Sequence, residues 1–498
     1  MKENKVQNKF TNAAKWSIIT EIVAKLVSPI TNMTLARIIL PEAFGVVATV
    51  TMIMSFVDMF TDAGFQKYLV QHQFKNEDEK LKNANVAFWT NFLISIFLWV
   101  IIIIFREKIA TLVGNPGLGN VIAIACVQLV FTSFSSIQMA LYRRNFDFKT
   151  LFLIRMISVC IPFLITIPLA LLGLSYWALI IGSIVMQFLN AVIMTIKSKW
   201  KPSLFYKIEI LKEMISFSIW SLIEAISIWL SVWADVFIIG SFFNQYYLGL
   251  YKTSTGMVNM LMSLITSAIL PVFFSALSRF QDDTEKFNMM YFKTQRLIAT
   301  VLLPLCIGVY LYRDLATKII LGNKWMEASR IIGVWALTSG IKIILGDLCS
   351  EVYRAKGRPK VSFIAQVLHL VFLVPVCIIS SKYGFLCLVY ARSWIRMQFV
   401  LVHFIMMKVA IKFPVGKILK NVMPIVVSAF TMGVLGLLLQ QISKGLLWSF
   451  TSIIICSLFY FGMLCLFPNM REEMNGIVGK LKSKLLKSKY TSVYYKEN

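Results

Sequence analysis

Glu21 and Lys25 stand four residues apart in an otherwise apolar stretch. On a helix that spacing puts both side chains on one face, acid before base, the favourable order for an ion pair. Other apolar stretches carry charges too. Arg392 and Arg396 repeat the four-residue spacing, and Lys342 is followed by Asp347. Glu224 and Asp235 are about three helical turns apart and so share a face. Arg37 and Lys252 lie near the ends of such stretches. A charge at the centre of a bilayer costs ~2.5–3.5 kcal/mol on insertion scales, so each needs a partner or a task. The excess is cationic, and cations lining a water-filled cavity would receive an anion. The forked donors of a guanidinium match the oxygens of phosphate or pyrophosphate. The candidate substrate-binding cations are therefore Lys25, Arg37, Lys252, Lys342, Arg392 and Arg396. Glu21, Glu224 and Asp235 would balance that charge or carry H⁺ or Na⁺ for coupling. Structural ion pairing and snorkelling to the interface compete for the same side chains.

Nothing in the sequence points to catalysis. There is no Gly-rich phosphate loop and no Ser/His/Asp arrangement. His72, His369 and His403 are far apart in sequence and suggest no metal site. The eight cysteines sit in apolar segments and form no Cys-x-x-Cys pair. The chain is expected to be no enzyme and to use no cofactor beyond a coupling ion.

The elements that must position those charges follow from composition. Of the 498 residues, 58% are hydrophobic and 15% charged, and the mean hydropathy is +0.73. Soluble domains carry about 25% charged residues. The runs Val86–Phe105 and Gly173–Ile196 have no charge at all, and ~20 apolar residues in a helix span a bilayer. The pattern predicts an all-α polytopic membrane protein of about fourteen transmembrane helices, the first at 12–36 and the last at 445–467. The alternating ~10-residue segments of a transmembrane β-barrel are absent. An even number of spans puts both termini on one side. Lys and Arg crowd into the loops of that side, which the positive-inside rule assigns to the cytoplasm. The net charge of +26 mostly reflects this crowding and gives no reason to expect nucleic acid as a partner. The basic tail 471–498 suits an anionic lipid surface.

The chain also repeats itself. Trp16-Ser17 matches Trp220-Ser221, and Gly45 of "LPEAFGVV" matches Gly249 of "NQYYLGLY". Further on, "FKNEDEKL" (Phe74–Leu81) resembles "FQDDTEKF" (Phe280–Phe287), and Tyr142-Arg143 matches Tyr353-Arg354. The matches are collinear, with a slowly drifting offset. They divide the chain into two six-helix halves, 10–200 and 210–411, then two further helices over 412–470 and the cytoplasmic tail. Six spans is even, so the halves enter the membrane alike and should be related by a pseudo-two-fold along the membrane normal. In transporters with parallel repeats the substrate site lies between the halves.

The stretch Leu35–Gln71, "LARIILPEAFGVVATVTMIMSFVDMFTDAGFQKYLVQ", resembles the N-terminal signature of bacterial polysaccharide-unit flippases. Arg37, Pro41, Phe44 and Gly45 fit that family's Arg-x-Leu-x-Pro-x-x-Phe-Gly turn, with Ile39 for the Leu; Asp62 and Gly64 fit its Asp-x-Gly element. "YRRNFDFKTL" is similar to a family loop through Tyr142, Arg144, Phe146, Phe148 and Lys149, and "ADVFIIGSFFNQYYLGLY" to another stretch through Asp235, Gly240, Gly249 and Tyr251. The resemblance covers most of residues 10–410. One departure is Lys67, where many members carry a Gly or Leu pair after the Asp-Gly element. The resemblance implies the Wzx-type flippases of O-antigen, teichuronic acid and exopolysaccharide within the multidrug/oligosaccharidyl-lipid/polysaccharide exporter superfamily. It implies transfer of a polyprenyl-pyrophosphate-linked glycan across the cytoplasmic membrane, which fits the reading from charge and repeat of alternating access through a cationic cavity between the halves. Membrane lipids and other polysaccharide assembly proteins are further candidate partners. A small-molecule or drug cation antiporter of the same superfamily is the alternative, and a membrane glycan polymerase a more distant one. The antiporter would favour an acidic cavity, and the polymerase would want larger outer loops.

Overall fold

The computed structural model describes residues 16, 19–20, 23–25, 27–62, 64–443, 445–468 and 470–473. Every regular element among them is helical. Twelve helices, from Pro41–Thr61 to Leu446–Leu464, are long and apolar enough to cross a membrane, and a bent thirteenth, Gln245–Ser267 with Ile269–Arg279, joins them. The expected first span, 12–36, is described in part, with residues 27–38 helical. Glu21 and the tail beyond 473 fall outside the described residues. The outer faces are apolar: Leu172, Leu447 and Leu458 are largely exposed. That pattern places leucine where a soluble protein would place charge, and it marks a multi-pass membrane protein.

Local breaks have local causes. The thirteenth span bends by 42° between Ser267 and Ile269. Pro271 sits four residues past Ser267, where its ring displaces the carbonyl it cannot bond. Gly64 (φ 81°) separates helix Pro41–Asp62 from Phe65–Gln71. That left-handed conformation favours glycine and explains the Gly of the Asp-x-Gly element.

The chain forms two compact units. One comprises the residues up to Met260 together with Thr317–Ile331 and Gln366–Ile395; the other comprises Leu261–Ala316, Ile332–Ala365 and the residues from Arg396 on. In the first unit, Phe65, Leu69, Phe88, Leu141 and Trp200 build one apolar cluster. In the second, helix Thr284–Leu311 packs on Val415–Ile442, which packs on Leu446–Leu464.

Within the first unit the sequence repeat becomes a contact. A Cβ on Gly45 would lie 1.9 Å from the carbonyl oxygen of Gln245, and one on Gly249 would lie 1.8 Å from that of Pro41. Gly45 and Gly249 are repeat mates, and Pro41 and Gln245 share their offset. Two helix N-termini thus cross reciprocally, each backbone lying where a side chain of the other would be. Only glycine permits that approach.

The repeated loops do equivalent work. Asn76 Oδ1 accepts from the Glu79 amide (2.8 Å), and Asp283 Oδ1 from the Lys286 amide (3.1 Å), so each loop ends in an N-cap. The Lys286 side chain, with that amide, holds the Asp283 carboxyl below the usual carboxylate range. Arg144 donates to the carbonyls of Leu69, Val70 and His72 and covers the ring of Phe74. It therefore closes the C-terminal end of helix Phe65–Gln71. In the other unit, Arg358 donates to the Ala410 carbonyl at the end of helix Arg396–Ala410. Both Tyr-Arg loops thus supply an arginine that finishes another helix.

Candidate functional site

Helix Gln128–Arg144 carries "FTSFSS", Phe131–Ser136, inside a membrane span. Its hydroxyls bond back to carbonyls one turn earlier: Thr132 to Leu129 (2.9 Å), Ser135 to Thr132 (3.1 Å) and Ser136 to Ser133 (3.3 Å). Such back-bonding satisfies the donor and leaves oxygen lone pairs free to accept. Asn91 on helix Glu77–Ile104 uses one of them, donating to Ser136 Oγ (2.7 Å). On helix Tyr176–Lys197, Asn190 accepts from Ser158 (2.6 Å) and donates to Gln187 (3.4 Å).

Of these groups, Asn91, Thr132, Ser135, Ser136, Gln187 and Asn190 line a cavity of about 490 Å³ in the first unit. Asp58 and Lys67 lie in the same wall, with Asp58 Oδ1 3.5 Å from the Thr132 hydroxyl oxygen. The volume falls in the ~300–1,000 Å³ range of small-ligand sites. Hydroxyls, carboxamides, a carboxylate and an ammonium together can hold a hydroxyl-rich ligand by many moderate hydrogen bonds. Lys67, the departure from the flippase pattern, is part of this wall.

The charged candidates are distributed otherwise. Asp235, Tyr251 and Arg392 form a buried cluster in the first unit. Asp235 Oδ2 accepts from Arg392 Nε (2.7 Å) and from the Tyr251 hydroxyl (2.6 Å). Their side chains are 5% (Asp235) and 9% (Arg392) exposed, so this ion pair is held by its hydrogen bonds against a large desolvation cost. Lys252 Nζ lies 3.7 Å from the ring centroid of Trp233, a cation–π contact. Arg37 is exposed and donates to the Ile319 carbonyl. Beside it Trp325 donates to the Ala36 carbonyl (2.7 Å) and meets Phe44 edge-on. The signature turn around Arg37 is thus docked onto residues 319–325. Lys25 is half-buried on the first helix. Glu224 lies in helix Ile208–Phe242, and its side chain, like Glu21, is outside the described residues.

In the second unit, Arg396 is buried, stacks 3.4 Å from the Trp335 ring centroid and donates to Ser339 Oγ (2.5 Å). Arg392 and Arg396, four residues apart, therefore have separate partners in separate units, with a helix break at Ile395. Lys342 pairs with Asp347 at 2.6 Å and lies 4.7 Å from the Phe399 ring centroid. Five residues in an α-helix turn by about 500°, which would leave the two side chains about 140° apart. The π-helical turn Ile343–Asp347 widens the spiral and brings them together.

The neutral lining was missed by reasoning from charge. Thr132, Ser136 and Met139, and Gln187, Asn190 and Met194, follow helical spacing on their two helices and all line the cavity. A search for polar stripes inside apolar runs would have found them.

A chain of this length with these spans has the fold of a polytopic membrane transporter. The solved lipid II flippase MurJ, in an inward closed conformation, superposes with a TM-score of 0.72 at 17% identity, covering 91% of this chain and 98% of that one. The sequence gives the narrower assignment. A model of the polysaccharide biosynthesis protein family matches residues 34–330, and the chain belongs to that family. It is 23% identical over 331 residues to the succinoglycan biosynthesis transport protein ExoT of Rhizobium meliloti, covering 66% of this chain and 66% of that protein. It is 20% identical over 383 residues to the lipopolysaccharide biosynthesis protein WzxC of Escherichia coli, covering 76% of each.

Proposed function

We propose that this protein is a transporter, not an enzyme, that moves a lipid-linked oligosaccharide unit across the cytoplasmic membrane for surface polysaccharide synthesis. The observation that carries this reading is the cavity of hydroxyls and carboxamides built into the membrane-spanning helices of the first unit. A hydroxyl-rich headgroup has to leave water to cross, and these groups offer it replacement hydrogen bonds. Family membership and the fold agree with it.

In this reading the glycan is the cargo and its polyprenyl tail stays in lipid. Lys25, Lys342 and Arg396 are the cations proposed to meet the pyrophosphate. Arg392 and Arg37, held by Asp235 and the Ile319 carbonyl, act on the fold, and Lys252 stands ready at Trp233. The protein alternates exposure of its site to the two sides, without a cofactor, and H⁺ or Na⁺ is the proposed coupling ion. Both termini are proposed to face the cytoplasm, because Lys and Arg crowd on that side. Other polysaccharide assembly proteins are the proposed partners there.

The test fills the cavity. Ser136→Leu and Asn190→Leu, each as the sole copy in the cell, should abolish surface polysaccharide while membrane levels of the protein stay near normal. Normal polysaccharide in both strains refutes the assignment of this cavity to transport.

A further inference from the structure

A second cavity, of about 780 Å³, lies in the same unit among the loops that carry the positive charge. Helix Glu77–Ile104 begins beside it, helix Gln128–Arg144 ends beside it, and the segment after helix Tyr176–Lys197, "KSKWKPSLF" from Lys197 to Phe205, forms much of its wall. The translocation reading makes no use of it.

Its wall contains three buried polar atoms without a hydrogen-bond partner among the described residues: Gln138 Oε1, the Tyr142 hydroxyl and Trp200 Nε1. Gln138 is 0% and Trp200 7% exposed. The other end of Gln138 is fixed, donating to Thr195 Oγ1 at 2.9 Å. Unpaired buried polar atoms are rare in folded proteins, and several around one cavity mark a place where something else completes the bonding. The set holds two donors and one acceptor.

The charge around these atoms is unequally engaged. The acids Glu77 and Asp78 are taken up by Lys80 and Lys82, and Asp147 caps the helix that begins at Phe148. Lys201 donates to the Thr195 carbonyl. That leaves the exposed Lys197 and Lys199 on the rim. An anion with hydrogen-bonding oxygens fits: two ammonium groups at the mouth, indole and phenol donors inside, and an amide oxygen to receive a hydroxyl.

We propose that this cavity binds a phosphate ester bearing hydroxyl groups, held by Lys197 and Lys199 with Trp200, Tyr142 and Gln138 as its inner contacts. The three inner atoms are shielded from bulk solvent, so side chains of the wall move aside to admit the ligand's oxygens as the missing bonds form. Two sources carry this chemistry at a membrane surface: the headgroup of an anionic phospholipid and a soluble phosphate ester.

The test titrates the purified full-length protein in detergent with short-chain phosphatidylglycerol, with short-chain phosphatidylcholine and with glycerol 3-phosphate, and counts adducts by native mass spectrometry. The variants are Lys197→Gln with Lys199→Gln on the exposed rim, and Trp200→Phe, which keeps a ring against Phe88 but removes the donor. One saturable phosphatidylglycerol site, weakened about tenfold or more by each variant, is the expected result for a lipid source. The same variant-sensitive site for glycerol 3-phosphate alone assigns a soluble source. Binding that is unchanged in the variants, or equal for phosphatidylcholine, overturns the proposal. Ser136→Leu should leave this binding intact, which separates it from failure of the transport reading.

Discussion

Removing the carboxylate of Asp235 should destabilise the first unit more than removing both members of its ion pair. Asp235 receives Arg392 at 2.7 Å and Tyr251 at 2.6 Å, and the pair is nearly inaccessible to solvent. Asp235→Asn leaves a guanidinium buried without its counter-charge, which costs about 3–5 kcal/mol in comparable buried pairs. At the lower end that shifts the folded-to-unfolded ratio by more than about a hundredfold. Arg392→Gln strands the carboxylate at a similar cost. The double variant carries no buried charge and should lose less than the sum, because the two groups act as one unit. Tyr251→Phe removes one hydrogen bond to a charged acceptor, about 1.5–3 kcal/mol. The assay is the thermal unfolding midpoint of the protein purified in detergent, read beside its level in the membrane. An Asp235→Asn midpoint equal to wild type refutes the reasoning. The double variant also separates two roles for Asp235. If it is stable and still exports polysaccharide, the pair is structural; if it is stable and export stops, the carboxylate takes part in coupling.

Two other outcomes are expected. Gly45→Ala and Gly249→Ala each drive a Cβ into a backbone carbonyl and should cost about 1–3 kcal/mol, seen as a lower midpoint for both; wild-type midpoints would remove the reciprocal crossing as a constraint. Arg396→Lys keeps the charge but loses the planar stack on Trp335 and the fit to Ser339, so export should fall at unchanged protein level, and full export would show that charge alone suffices there.

The spans were legible because the requirement is simple and repeated: about twenty mostly apolar residues, then a polar loop. Gly45 and Gly249 were matched in the sequence by offset alone. Each lies where the other helix's backbone forbids a side chain, a packing reason for glycine at both places. Tyr142-Arg143 and Tyr353-Arg354 read as parts of matching loops, although that Arg144 and Arg358 beside them each cap the end of another helix needed the coordinates.

The site was harder to read, because in this chain charge is conspicuous and polarity is not. Charge drew the eye to Asp235 and Arg392, yet their pairing joins residues 157 positions apart, and no spacing rule within one helix reaches that far. Lys342 and Asp347 would point apart on a regular α-helix and meet only through a π turn that residue order does not announce. The cavity in the first unit is lined mostly by Ser, Thr, Asn and Gln. Each hydroxyl satisfies its own donor on the preceding turn, so a serine costs little anywhere in a span and stands out nowhere. Their meaning comes from convergence: the lining residues from Ser55 to Ala225 belong to separate helices that face one volume. A site for a hydroxyl-rich headgroup should look like this. Apart from Asp58 and Lys67 its polar lining is neutral, and many moderate hydrogen bonds can be exchanged for water at either end of the passage.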